Sequence, residues 1–249
     1  MPATINKQQV LGHLSTALKK KFPAAPPAPP AERRPIMEEL VFALCREGVP
    51  PAQAAAAFAR LKECFFDWNE VRVSTVQEVA DVLAGLPDAG TRAKKVIEFL
   101  QELFEMTYSF SLEDLEKKGL KQAAKQLGRY QAVSGDDFAV AWVVQRSLGG
   151  HAVPLDGPAI RALKRLGIVD EDEDNPEAAR ATIEHYVPKA KGLEFTDALA
   201  EFAAAVCVEK APFCKTCPMK DECPAAPHFL NPPKKEKVAE KDAKPKKSR

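Results

Sequence analysis

Cys207, Cys214, Cys217 and Cys223 fall within seventeen residues in the order C-x6-C-x2-C-x5-C. Pro212, Pro218 and Pro224 stiffen the segments between them. Thiolates are soft ligands, and four of them this close together call for a metal centre. In a reducing compartment such a cluster means metal rather than cystines. Structural zinc sites commonly pair two C-x-x-C-like knuckles across a longer loop. This chain has one C-x2-C flanked by lone cysteines. Iron–sulfur clusters also take four thiolates, from compact runs with a nearby proline. Spacing alone leaves both metals open and favours iron–sulfur. Lys210, Lys215 and Lys220 are interleaved with the cysteines, so a loop fixed by metal would present positive charge. Cys45 and Cys64 lie in helical-looking apolar segments far upstream and read as buried thiols.

A second segment with chemical potential is AVPLDGPAIRALKRLGI, residues 152 to 168. Asp156 precedes a helix expected from about Pro158 to Leu166, where an aspartate is an ordinary N-cap. His151, after Gly149 and Gly150, is a candidate acid–base group, though a histidine there is more often a loop hydrogen-bonder.

The elements that must position these groups read as helices throughout. Apolar residues at helical spacing predict helices over residues 5 to 21, from Leu40, from Ala52 to Phe66 and from Val76 to Leu83. Ser74 or Thr75 is placed to cap the last of these. Further helices are predicted over Arg92–Thr107, Leu112–Leu127 and Phe138–Leu148, the last apolar almost all round and so suited to a bundle centre. Asn175-Pro176 is a helix start. A helix from about Thr196 to Val208 is expected to deliver Cys207. No useful stretch alternates with period two, and the fold class is all-α. Residues 22 to 35 are too proline-rich for a helix and read as a polyproline-like linker.

At 249 residues, 45% of them hydrophobic, the chain can bury one large core or two small ones. No apolar run approaches the roughly 18 residues that span a membrane, and the N-terminus lacks a signal-peptide pattern. A cytoplasmic or nuclear protein is the default expectation. The net charge of +1 hides an asymmetry: residues 231 to 249 hold eight basic and three acidic residues. This tail reads as disordered, with an attraction to polyanions.

The cysteine spacing at the end of an all-α chain resembles the cluster loop of the endonuclease III family, DNA glycosylases of the helix–hairpin–helix superfamily. The segment around Asp156 is similar to that family's PxDTHxxRxxxRLG stretch, with Asp156, Arg161, Arg165, Leu166 and Gly167 on matching positions. The resemblance covers the layout from about Pro35 to Pro227 and is specific in these two motifs. It implies a two-lobed helix–hairpin–helix glycosylase fold, with a helical barrel over 36–150 and an iron–sulfur lobe over 151–230. Helix 1–21 would pack on the latter lobe. It implies a 4Fe–4S cluster on Cys207, Cys214, Cys217 and Cys223, and double-stranded DNA as partner. The catalytic carboxylate would be Asp156, and DNA contacts would come from the cluster loop and the hairpin glycine Gly135.

The chain departs from the family where strand cleavage would be done. Bifunctional members carry a lysine nucleophile eighteen residues before the aspartate, and that position is Phe138. The hairpin glycines are replaced by Ser134 and Asp136, and Asp136 and Asp137 would repel phosphate. The stretch matching the family's base-replacing glutamine reads Leu44-Cys45-Arg46-Glu47-Gly48-Val49; the charge of Glu47 would sit poorly inside a DNA stack, and Arg46 would serve instead. The expected function is base-excision glycosylase action without abasic-site lyase. The alternative is a catalytically silent nucleic-acid-binding relative.

Overall fold

Helical periodicity organises the chain into two hydrophobic cores. The computed structural model describes residues 6–23, 33–134 and 137–231. Most of the 22–35 linker, nearly all of the basic tail, Gly135 and Asp136 therefore lie outside the described residues.

In chain order the helices are α1 (Lys7–Lys21), α2 (Ile36–Arg46), α3 (Pro51–Cys64), α4 (Trp68–Val73), α5 (Val76–Val82) and α6 (Ala89–Thr107). There follow α7 (Leu120–Leu127), α8 (Asp137–Arg146), α9 (Gly157–Arg165), α10 (Pro176–Tyr186), α11 (Lys189–Ala205) and α12 (Ala226–Leu230). No helix among the described residues is long and apolar enough to cross a membrane.

The first core gathers apolar side chains of α2 through α8. On α6, Ala93, Val96, Phe99, Leu100 and Leu103 form its buried stripe at helical spacing. Helix α8 is as apolar as expected, but α2 is the helix buried on every side, Ile36 through Arg46. That includes two glutamates, whose charges are met locally. Glu39 accepts from the Trp142 indole at 2.6 Å and from Arg34 at 3.2 Å. Glu38 accepts from Lys62 at 2.9 Å and from Trp68 at 3.1 Å. Buried carboxylates persist only with such partners.

The second core is built from both ends of the chain. Val10, Leu11, Leu14 and Leu18 of α1 pack with apolar residues of α9, α10 and α11. The two cores meet where α8 runs into the 152–156 segment: Ala141, Val144 and Ala152 form a small apolar junction.

Several boundaries differ from the sequence expectation for local reasons. The helix expected over 112–127 breaks into a 3-10 turn (Glu113–Lys117) and α7, divided at Gly119. Helix α4 was not anticipated; its six residues are started by Asp67, whose side chain accepts from the Glu70 amide. Helix α11 begins at Lys189, behind Pro188, and stops at Ala205, so Cys207 lies in the loop beyond it. Thr75 does cap α5, with Glu78 completing a capping box. Cys45 is buried as expected, whereas Cys64 is exposed at the last turn of α3.

Candidate functional site

Asp156 is the N-cap of α9, in extended backbone, and its Oδ1 accepts from the Ala159 amide at 2.9 Å. Gly157 and Pro158 occupy the first helical positions, where a missing proline N–H is harmless. The other oxygen is engaged across the junction between the cores. Oδ2 accepts from Arg46 Nη1 at 3.3 Å and from the Gly48 amide at 3.2 Å. The carboxylate is 5% exposed.

Arg46 reaches that position because α2 ends there. Glu47 is the C-cap, and Gly48 follows at φ +67°, the left-handed conformation glycine adopts without a Cβ penalty. The turn brings the Gly48 amide and the Val49 carbonyl beside the guanidinium, which donates to that carbonyl. Arg46 is 3% exposed and stacks 5.8 Å from the Trp142 ring. Burial pulls its pKa below the usual arginine value, while Asp156 and then Asp197 oppose that shift. Arg46, expected to serve at the base-replacing position, is enclosed here and bonded to Asp156. Glu47 is partly exposed, 4.0 Å from Lys95.

A cleft with about 530 Å³ of empty space opens beside the pair. Arg46, Gly48 and Asp156 line one side, and Arg161, Ala200 and Ala203 are among those lining the rest. Phe138 lies in the first core, 4% exposed, its ring 5.5 Å from that of Trp142. His151 is exposed and hydrogen-bonds the Glu184 carbonyl at 3.0 Å, the loop role ordinary for a histidine there.

The four C-terminal cysteines are brought together by the loop that follows α11. Cys207 lies just beyond α11, Cys214 opens a 3-10 turn that ends at Thr216, Cys217 follows it, and Cys223 precedes α12. All four line one largely apolar pocket, together with Leu166, Phe202 and Val206. Burial pushes the Cys214, Cys217 and Cys223 thiols above their usual pKa, and neighbouring cysteines of the set add to the rise. Among the described residues, no group of three or more His, Cys, Asp or Glu side chains is arranged to hold a metal ion.

The loop is tied to α9. Arg165 donates to the carbonyls of Val208 at 2.7 Å and Glu209 at 2.6 Å, and its Nη1 lies 3.5 Å from Cys207 Sγ. Arg161 donates to the Cys207 carbonyl at 3.2 Å. The Cys223 thiol donates to the Arg165 carbonyl at 3.1 Å. Phe229 of α12 covers the Arg165 guanidinium at 4.6 Å. Lys210, Lys215 and Lys220 are exposed around this loop, while Gly135 lies outside the described residues.

Sequence reasoning missed Arg46 as a partner of Asp156, and Arg146 with Asp197. Its available signal was a terminal arginine on a helix otherwise nearly apolar, IMEELVFALCR. Nothing in sequence pointed from Arg146 to Asp197, fifty-one positions away.

No family model matches the chain. A stretch of 114 residues is 25% identical to the endonuclease III homolog of Encephalitozoon cuniculi, covering 46% of this chain and 47% of that protein. The alignment thus spans about half the length of that relative. Among solved structures, endonuclease III trapped as a covalent intermediate with DNA is similar at a TM-score of 0.69 and 18% identity, over 91% of this chain and 99% of that one. A thermostable thymine-DNA glycosylase is similar at 0.62 and 18% identity, over 88% and 96%. The H. pylori 3-methyladenine DNA glycosylase bound to 1,N6-ethenoadenine is similar at 0.59 and 14%, over 82% and 99%. The chain has the all-helical fold of endonuclease III and resembles that family in sequence and architecture.

Proposed function

We propose that the chain is a base-excision DNA glycosylase that breaks the N-glycosidic bond without cleaving the strand. The observation that carries this reading is a carboxylate, Asp156, on the wall of the cleft between the two cores of a glycosylase fold. An oxocarbenium-like transition state gains from a fixed negative charge, and water, not a protein amine, would be the nucleophile. The damaged base would be flipped into the cleft. Phe138 supports the monofunctional form, since a buried phenyl ring offers no amine for a Schiff base.

Cys207, Cys214, Cys217 and Cys223 would hold a 4Fe–4S cluster. Four soft donors around one largely apolar cavity, with an arginine N–H beside Cys207 Sγ, suit a thiolate-bound cluster. When bound it would cross-link a loop that has little apolar material of its own. Lys210, Lys215 and Lys220 would then face the duplex backbone from a fixed frame. The protein would act as a monomer on double-stranded DNA in the cytoplasm, with the basic tail adding non-specific attraction.

A second reading, a silent DNA-binding relative, is favoured by one observation: Asp156 already accepts three hydrogen bonds, one of them from Arg46. A panel of duplexes carrying different damaged bases separates the two. Base release by the wild type, lowered about 10²–10³-fold in Asp156→Asn, is the expected result. No release from any duplex, with retained binding, selects the silent relative. Borohydride should trap no covalent adduct on abasic DNA. Loaded protein should absorb near about 400 nm and carry about four irons per chain; one zinc instead would overturn the cluster assignment.

A further inference from the structure

Two arginines of the first core each reach an aspartate of the second. Arg46, ending α2, pairs with Asp156 at the start of α9; Arg146, ending α8, pairs with Asp197 of α11. Both guanidiniums lie over the Trp142 ring, 5.8 Å from its centroid for Arg46 and 4.3 Å for Arg146. The pairs differ in accessibility. The Asp197 side chain is 40% exposed, whereas the Arg46 and Asp156 side chains are 4% and 5% exposed. The cap on α9 uses Oδ1 alone, so the helix does not require Arg46. Arg46 and the Gly48 amide occupy Oδ2, the oxygen left over.

We propose that Arg46 is a positioning residue that acts as a latch on Asp156. With Arg46 seated, the carboxylate is charge-balanced and withheld from a ligand in the cleft. Release of Arg46 removes the neutralising charge and leaves Oδ2 with the Gly48 amide alone. The group able to draw it out is a phosphate of a bound duplex. A guanidinium makes forked, charge-assisted bonds to phosphate as readily as to a carboxylate. The cleft touches both members of the pair, so the exchange needs only the 46–49 turn to shift. That turn is a few residues long and contains Gly48, already in the left-handed region. Arg161, on the same cleft, adds a second positive charge toward the entering phosphate. This inference rests on the reading of DNA as the partner.

The test is hydrogen exchange of the 46–50 segment, read by mass spectrometry on cluster-loaded protein. It is measured alone, with an undamaged duplex, and with a duplex carrying a tetrahydrofuran abasic analogue. A latch predicts that exchange in this segment speeds up at least tenfold when the abasic duplex binds. Arg46→Gln should exchange fast without DNA and respond little to it. Arg46→Lys, which keeps the charge but not the fork, should exchange at an intermediate rate without DNA and respond to the duplex less than the wild type does. Unchanged or slower exchange in wild type with the duplex bound, verified by fluorescence anisotropy, overturns the latch and leaves the DNA reading intact. Absence of binding to either duplex by anisotropy overturns both.

Discussion

Replacing Asp156 by alanine removes two interactions whose sizes are separable. The first is the helix cap: Oδ1 no longer accepts from the Ala159 amide, a loss of about 1 kcal/mol. The second is the partner of a buried cation. Arg46 is 3% exposed, and an ion stripped of its partner in such a place is destabilising by about 3–5 kcal/mol. Asp156→Ala should therefore lower stability by about 4–6 kcal/mol in all. That is a large part of the roughly 5–15 kcal/mol available to a folded domain. Asp156→Asn, which keeps an oxygen for the cap, should fall between this variant and the wild type.

The Arg46→Met, Asp156→Ala double variant distinguishes the two losses. It leaves no unpaired charge, so it should recover about 2–3 kcal/mol relative to additivity. Urea unfolding, followed by circular dichroism, measures each midpoint, with unchanged slope required for comparison. A loss near about 1 kcal/mol for Asp156→Ala, with additive single variants, would mean that only the cap matters and would refute the buried pair.

Phe138→Ala should lose about 3–5 kcal/mol, because its ring fills the first core against Trp142. Phe138→Lys should unfold or weaken the first core without yielding a borohydride-trapped adduct; calorimetry and trapping together check this. Cys217→Ser should abolish the absorbance near about 400 nm and make the 207–223 loop sensitive to protease. Burial pushes the Cys45 thiol from 9.0 to about 12, so the folded state favours its neutral form. The stability this gives is complete below pH 9.0 and is lost as pH climbs toward about 12, so Cys45→Ala should flatten the alkaline limb of a urea-midpoint profile. Native protein should offer Cys64, not Cys45, to a thiol reagent at neutral pH.

Local patterns carried much of the architecture. The apolar stripe of α6, the Asn175-Pro176 start and the Thr75–Glu78 capping box each depend on neighbours within a turn or two, so sequence displays them. The break at Gly119 was harder to read, because the apolar spacing on either side continues through it. That the four cysteines would come together was legible from spacing, since they sit on one short segment; which group they would hold was not. Asp156 was legible as a cap because capping is a relation to the next three residues. Its bond to Arg46 was not, because the two lie 110 positions apart and meet only after both cores have formed. The full burial of α2 was hidden for a similar reason. Glu38 and Glu39 mark an exposed face until Trp68, Trp142, Lys62 and Arg34 arrive from elsewhere.

Helix α9 explains how one short element serves both candidate sites. Asp156 caps its N-terminus at the cleft, while Arg161 and Arg165, one turn apart on one face, clamp the chain just after Cys207. Arg165 also meets the cysteine cavity from its carbonyl side, where the Cys223 thiol and the Ala225 amide both donate. The helix is held by Ala159, Ala162 and Leu163 in the second core, so one packed element joins its two ends. A loop rigidified by its cysteines would therefore fix the register of Asp156 against Arg46, with no direct contact between cluster and carboxylate. Conversely, opening the Arg46 pair leaves α9 in place, because its cap and its clamp use neither Arg46 nor Oδ2. A latch at Arg46 would therefore let the carboxylate change partner while the frame that holds it stays fixed.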